Sequence, residues 1–479
     1  MKKQFKFLAQ IALSVALVSS FASCEKNNGT EEPTPEVLDL GDGSDAYEIT
    51  SDLTLSYPNT YNLKGWVYVT DGATLTIEPG VIIKGEKESK ATLVIEKGAK
   101  IMAEGTAERP IVFTSAQEPG SRNPGDWGGL VILGEAENNS GDMTIEGGIR
   151  STHGGSSNGD NSGILSYVRV EFAGIEYATD NEINGITLGS VGNGTQIDHV
   201  QVSYSGDDAF EFFGGSVNCT HLITLGTWDD DFDTDNGYSG NLQFLFAVRD
   251  GEYADKSASN GFESDNNSSA SAVSPFTSAV FSNVTIVGPV ADPTDYTDMG
   301  SVHGSSTGFF QNAVQIRRNS RMNLFNSVIM GFPIGLNVDN DKSSSTQEAH
   351  LDGSSFVANN IMAGMIRNFQ DAATNKQDPV DYTASDEVMQ QIWSAGNNET
   401  PLSTISDLAL KGDPQSLTAP NAIPSTSSIA ASGAEWTNSL ISGSFFEKTT
   451  YRGAFSSSET SDDNWTTGWA NFDPQNTVY

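Results

Sequence analysis

Apolar and polar side chains alternate in short bursts along most of this chain, and nearly every burst ends at a glycine. Residues 73–85, ATLTIEPGVIIKG, form one such burst, and a near copy, ATLVIEKGAKIMAEG, opens the stretch 91–115 eighteen residues further on. Alternation with a period of two turns one face of a strand inward, and a two-residue turn leads into the next strand. A shorter signature recurs downstream in DHVQVSYSG (198–206), THLITLG (220–226), SNVTIVG (282–288), NSVIMG (326–331) and NNIMAG (359–364), and more loosely in LSYVRVEFAG (165–174). Each copy is a polar residue, an aliphatic strand and a closing glycine that lets the chain turn a corner. Stacked copies bury a core that no single copy could bury, so the repeat predicts a right-handed parallel β-helix. A β-sandwich is the alternative, but its strands would be irregular and lack this signature.

One segment has helical spacing instead. In 385–396, SDEVMQQIWSAG, Val388, Met389, Ile392 and Trp393 share a face, Ser385 can cap the start and Gly396 can stop the end. The last residues carry Trp465, Trp469 and Phe472 at strand-like spacing, which suits the terminal cap that a repeat stack needs. The expected organisation is a leader at 1–23, a flexible tether at 24–44, the β-helix at 45–384, and a short helix with capping strands at 385–479.

The leader has a basic start, an apolar run over 7–18 and small residues up to Cys24, the layout of a secretory signal. Its FASC ending resembles a bacterial lipobox, with Phe21 where leucine is usual, and that resemblance implies lipidation of Cys24. The tether is rich in Pro, Asn and acidic residues. Removing 1–23 takes away three lysines and no acid, so the net charge goes from −37 to −40. Such a chain will not bind nucleic acid by charge, and the lipid at Cys24 would be its membrane anchor. Cys219 is left without a disulfide partner and reads as a small buried hydrophobe.

The elements GTAERPIVFTS, GDWGGLVILG, SGDDAFEFFGGSVN and NWTTGW resemble a large group of Bacteroidetes surface or secreted lipoproteins with right-handed β-helix folds. That resemblance covers nearly the whole mature chain. It implies the fold and an envelope location, outer membrane and cell surface or else the periplasmic leaflet, and leaves the activity open.

Two stretches carry the candidate chemistry. SGDDAFEFF (205–213) and TWDDDFDTD (227–235) hold eight carboxylates, and no Lys or Arg occurs from Val170 to Val248. They align at an offset of 22 residues, pairing His199 with His221, Asp207 with Asp229, Asp208 with Asp230, Phe210 with Phe232 and Glu211 with Asp233. If 22 residues make one coil, these pairs stack about 5 Å apart. Two charges at that distance repel by roughly 3 kcal/mol at an effective dielectric near 20. Three readings follow. The acids line a solvated turn; or Asp207, Asp208, Glu211, Asp229, Asp230, Asp231, Asp233 and Asp235 hold Ca²⁺; or paired carboxylates hydrolyse a glycosidic bond. The DxDxD run at 231–235 is not an EF-hand, since Asn236 and Leu242 stand where Gly and Glu are required.

The order of Asp207 and Asp208, then Asp229 to Asp231, then His303-Gly304, then Arg317 and Arg318 resembles polygalacturonase-type β-helix hydrolases. The 95 residues between Asp208 and His303 are too many for adjacent coils. A Ca²⁺-dependent lyase would use an arginine as base, so Asp207, Asp208, Asp229, Asp230, Arg317 and Arg318 are the catalytic candidates. The plainer reading has Arg317, Arg318 and Arg321 paired with nearby acids. His199 and His221 occupy a slot that Asn or Ser fills in other copies, which points to structural hydrogen bonding. Trp228, beside the acids, is the candidate for stacking on a sugar.

The favoured function is an envelope lipoprotein that binds or displays an extracellular polymer, a polysaccharide above all, without cutting it, in a surface or outer-membrane transport complex. A Ca²⁺-dependent lyase or glycoside hydrolase, and an adhesin-like structural protein, are the alternatives.

Overall fold

The computed structural model describes residues 34–479 apart from 179–180, 297–301, 303, 305–307, 341, 344 and 371–385. The leader, residues 24–33 of the expected tether including Cys24, His303 and Ser385 therefore lie outside the described residues. No helix among the described residues is long and apolar enough to cross a membrane.

The alternating bursts form a right-handed parallel β-helix with three faces. One face is an 11-stranded parallel sheet running from Tyr47–Ile49 to Arg367–Phe369. A 16-stranded sheet supplies the other two. In the early coils these two faces are separate strands, such as Thr74–Ile77 and Ile82–Gly85. From Gly163–Glu171 to Val280–Val287 one long strand serves both, the first of them paired through its first half with Lys100–Glu104 and through its second with Ile111–Ser115, and in the last two coils the strand divides again at the same corner.

The corner inside that long strand is a single left-handed residue, which is why the signature needs no loop there. Tyr167, His199, His221, Phe244, Asn283, Asn326 and Asn359 all have φ between 50° and 60° and occupy successive coils. Left-handed backbone is costly for most residues, and Asn tolerates it best. Where aromatic residues take the position, ring stacking offsets the cost: Tyr167, His199, His221 and Phe244 form a column with centroids 4.5, 4.3 and 5.1 Å apart. Inward residues stack likewise, as in Phe210, Phe232 and Phe262 at 5.8 and 5.6 Å.

The 22-residue alignment is the true register: Gln196 pairs with Asn218, Phe210 with Phe232 and Glu211 with Asp233. The eighteen-residue offset is not a coil. Thr74–Ile77 pairs with Lys100–Glu104, whereas Thr92–Ile95 lies on the 11-stranded sheet against Trp66–Val69. Alternating strands look alike on every face, so the two copies match in sequence without stacking.

Both ends of the body also differ from expectation. The stack begins inside the supposed tether, because Val37–Leu40 pairs with Thr60–Leu63. At the other end, helix Glu387–Ala395 closes the core with Met389, Ile392 and Trp393. The expected capping strands are absent: residues 397–479 contain only isolated bridges and short 3₁₀ turns. This segment runs back along the outside of the stack as a strap, from a backbone bond between Glu399 and Asn360 to a contact of Lys84 with the Tyr479 carbonyl. Side-chain amides hold it where strands would have used a ladder. Gln201 exchanges two hydrogen bonds with the Asn471 backbone and Gln243 two with Glu447. Trp465 and Trp469 lie edge-on or tilted against the histidine column.

Asn283 combines both demands, a left-handed corner and a strap anchor, its Nδ2 donating to Thr449 Oγ1 and to the carbonyls of Tyr451 and Gly453. Asn283→Ala strains the corner and strands buried acceptors, so urea unfolding should show a loss of about 2–3 kcal/mol. Asn283→Gly, free of the strain, should lose measurably less.

Candidate functional site

The 11-stranded face carries the acids. On its outer side Thr187, Glu211, Asp233, Glu263, Gln315 and Asn337 follow one another in register, one per coil. At the turn before this row, Asx side chains form a second ladder. Asp208 Oδ1 accepts the Asp230 N–H at 2.8 Å, Asp230 Oδ1 accepts that of Asn260, and Asn260 Oδ1 accepts that of Asn312 at 3.0 Å. Asp208 and Asp230 are thus tied into the backbone through one oxygen each.

Three overlapping groups result: Asp207 with Asp208 and Asp229, Asp208 with Glu211 and Asp233, and Asp230 with Asp233 and Glu263. In each, one oxygen per residue lies within 4.8 Å of the others. The solvated-turn reading fails, because Asp208, Glu211 and Asp230 are buried and Asp207, Asp229 and Asp233 only partly accessible. Burial, reinforced by neighbouring carboxylates, raises Asp207, Asp208, Glu211, Asp229 and Asp233 well above the ordinary carboxylate range. Burial also pushes Asp230 to about 7 and Asp235 to about 6.

The counter-charge comes from other coils and reaches these groups only at Glu263. Arg249 meets Asp231 at 3.3 Å with both side chains fully buried, which removes Asp231 from the outer cluster. Arg317 is held bidentate by Asp265 at 2.8 and 3.1 Å and also bonds Glu263, while Arg318 reaches Asp265 at 2.6 Å. The plainer reading of the arginines is therefore the observed one. Arg321 leaves them and packs on Phe276. Among the described residues no Lys or Arg makes an ion pair with Asp207, Asp208, Glu211, Asp229 or Asp233. Asp235 joins none of the three groups.

Oxygens without partners point into the same region. Asp229 Oδ1, Asp233 Oδ1 and the Oδ1 of Asn184 are buried with no hydrogen bond, and Asn184 contacts Glu211 through its Nδ2. Calcium takes six to eight oxygens at 2.3–2.6 Å, so two of its ligands are at most about 5 Å apart. The spacing of these oxygens fits that ion.

Asp198, His199 and His221 also lie close, with Asp198 joined to the two Nδ1 atoms at 2.9 and 2.8 Å. The two imidazole planes are stacked only 21° from parallel, so their in-plane lone pairs cannot converge on one ion. This trio is structural, as the histidine slot implied.

Beside the acids a groove of about 440 Å³ has Gly125, Gly174 and Gly206 among its lining, with Glu182, Asp255 and Trp228. Gly174 belongs there because a Cβ would fall 2.3 Å from the Gly206 nitrogen. Trp228 packs on Tyr253 at 5.4 Å and is half-buried, so part of its ring remains for a ligand.

A family model described as a pectate-lyase-like β-helix domain matches residues 47–404. The chain belongs to that family. No curated protein and no solved structure matches it. The match spans all three faces and the acid-bearing coils, and a pectate-lyase-like β-helix is compatible with polysaccharide interaction.

Sequence reasoning missed Glu263 and Asp265. The signal was there: Phe262 to Asp265, FESD, repeats the Phe-acid start of FEFF and FDTD, but thirty residues on instead of 22. Sequence distance misled in the other direction for the arginines. Asn260 and Asn312 are one coil apart in the Asx ladder although 52 residues separate them, so Arg317 sits only two coils beyond Asp235.

Proposed function

We propose that the protein is a cell-envelope lipoprotein whose pectate-lyase-like β-helix binds an extracellular acidic polysaccharide through divalent cations held by the carboxylate ladder, without cutting it. The observation that carries this reading is the set of buried carboxylate and amide oxygens with neither a base nor a hydrogen-bond donor. A cation there would neutralise the ladder and leave coordination positions toward the groove, where Trp228 offers a ring face to a sugar. Binding is favoured over lyase chemistry because Arg317, the base such chemistry would need, is fixed by Asp265 and Glu263. The leader and Cys24 support the envelope location.

Binding of polygalacturonate and of a neutral glucan should be measured with Ca²⁺ and with EDTA, together with release of unsaturated or reducing ends. The expected result is Ca²⁺-dependent retention of the acidic polymer, weakened at least tenfold in Glu211→Gln/Asp233→Asn, with no new ends. Retention unchanged by EDTA would sink the proposal. The close pair Asp207 and Asp229 favours a second reading, glycoside hydrolysis, since retaining enzymes hold two carboxyls about 5 Å apart. Reducing ends that disappear in Asp207→Asn would put hydrolysis in its place.

A further inference from the structure

The two ends of the stack are finished differently. Helix Glu387–Ala395 fills the C-terminal end, but the first coil, made by Val37–Leu40, Tyr47–Ile49 and Leu53–Leu55, has no partner on its outer side among the described residues. Leu38, Tyr47 and Leu53 stand in register with the core residues Tyr61, Val67 and Leu75. They are 38%, 38% and 37% exposed, against 6%, 0% and 0% one coil further in. Core positions are thus open to solvent above three unpaired strand edges, a combination that soluble proteins usually cover.

The rim around this opening is acidic. Glu36, Asp39, Asp42, Asp45, Glu48 and Asp52 lie on the first coil, and no Lys or Arg occurs between residues 27 and 63. Lys64 neutralises Asp39 and Arg150 reaches Glu48, while the other four make no ion pair among the described residues. A second copy docked end to end would press these carboxylates against their equivalents. A lipid surface could cover the apolar positions but could not pair strand edges, whose N–H and C=O groups need a polypeptide. The chain's own residues 25–34, EKNNGTEEPT, bring more acid than base and no aliphatic or aromatic side chain.

We propose that the N-terminal end of the β-helix is a docking site for a strand of a partner polypeptide in which apolar residues alternate with Lys or Arg. Such a strand adds a further rung to the stack. Its backbone pairs with an open edge, its apolar side chains lie over Leu38, Tyr47 or Leu53, and its cations face the acidic rim.

The test uses the full chain and three fluorescent ten-residue peptides: alternating Val and Lys, the same residues with the alternation broken, and alternating Val and Glu. Anisotropy titration should show the first binding at least tenfold tighter than the second, and the third not binding. Leu53→Lys should weaken the first at least tenfold, and so should Glu36→Lys/Asp45→Lys, which alters only the exposed rim and leaves the core untouched. Equal binding of the two basic peptides, or no loss in either variant, would overturn the proposal. So would a dimer in sedimentation or adhesion to phosphatidylcholine vesicles that Leu53→Lys abolishes, since each assigns the end to another occupant.

Discussion

In EDTA the protein should melt at progressively lower temperature as pH rises from 5 to 8, and millimolar Ca²⁺ should restore most of the loss at pH 8 and little at pH 5. The sign follows from the ladder. Carboxylates whose folded pKa is raised bind protons more tightly folded than unfolded, so the stability they contribute is complete below their unfolded value near 4 and is lost as pH climbs through their folded values. For Asp230 and Asp235 those values are about 7 and about 6, which sets the window between pH 4 and 8. Two such shifts amount to several kcal/mol as an upper bound, at roughly 1.4 kcal/mol per pH unit. A cation substitutes for the protons, which is why its effect should grow with pH. Asp230→Asn keeps an acceptor for the Asn260 N–H and removes one charge, so it should flatten the pH dependence and blunt the Ca²⁺ response. Asp230→Ala loses the acceptor as well and should destabilise at every pH. A melting temperature that is flat from pH 5 to 8 and indifferent to Ca²⁺ would remove both the raised carboxylates and the ion from the account.

Arg249→Ala should be among the most damaging single changes in the molecule, lowering stability in urea by about 3–5 kcal/mol. Arg249 and Asp231 are both fully buried, with Arg249 also bonded to the Asn260 carbonyl and set over the Phe310 ring at 5.2 Å. Truncating the arginine leaves Asp231 charged in the interior with threonine hydroxyls, Thr224 foremost, in place of a cation. The double change Arg249→Met/Asp231→Leu removes both charges while keeping much of the volume, and should recover most of the loss. Failure of the double change to recover would mean that Arg249 matters through its packing on Phe310 and the Asn260 turn more than through its charge.

The fold was legible because the parallel stack repeats a local pattern, and the acid-bearing coils were legible because no loop interrupts them. Glu211 over Asp233 could be read from an offset of 22 residues, since those two coils are the same length. The next coils carry insertions, so Glu263 and Asp265 fell out of the alignment and Arg317 looked remote when it is close. Burial was illegible for a different reason. A run of aspartates looks wet in sequence, and nothing local reveals that Asn184, Ser257 and Asn260 come to lie against it. The strap was hidden because its anchors are single amides, Gln201, Gln243, Asn283 and Asn326, spread across many coils and indistinguishable in sequence from other polar positions.

That strap alters how the molecule can come apart. In a solenoid each coil touches only its neighbours, so an end can fray rung by rung while the middle persists. Here the chain's last eighty residues bridge coils that are far apart along the axis, and peeling any rung beneath them loosens contacts on the others. The consequence is cooperativity: a filament-like architecture that should melt as a single unit, with its carboxylate ladder intact until the whole body unfolds.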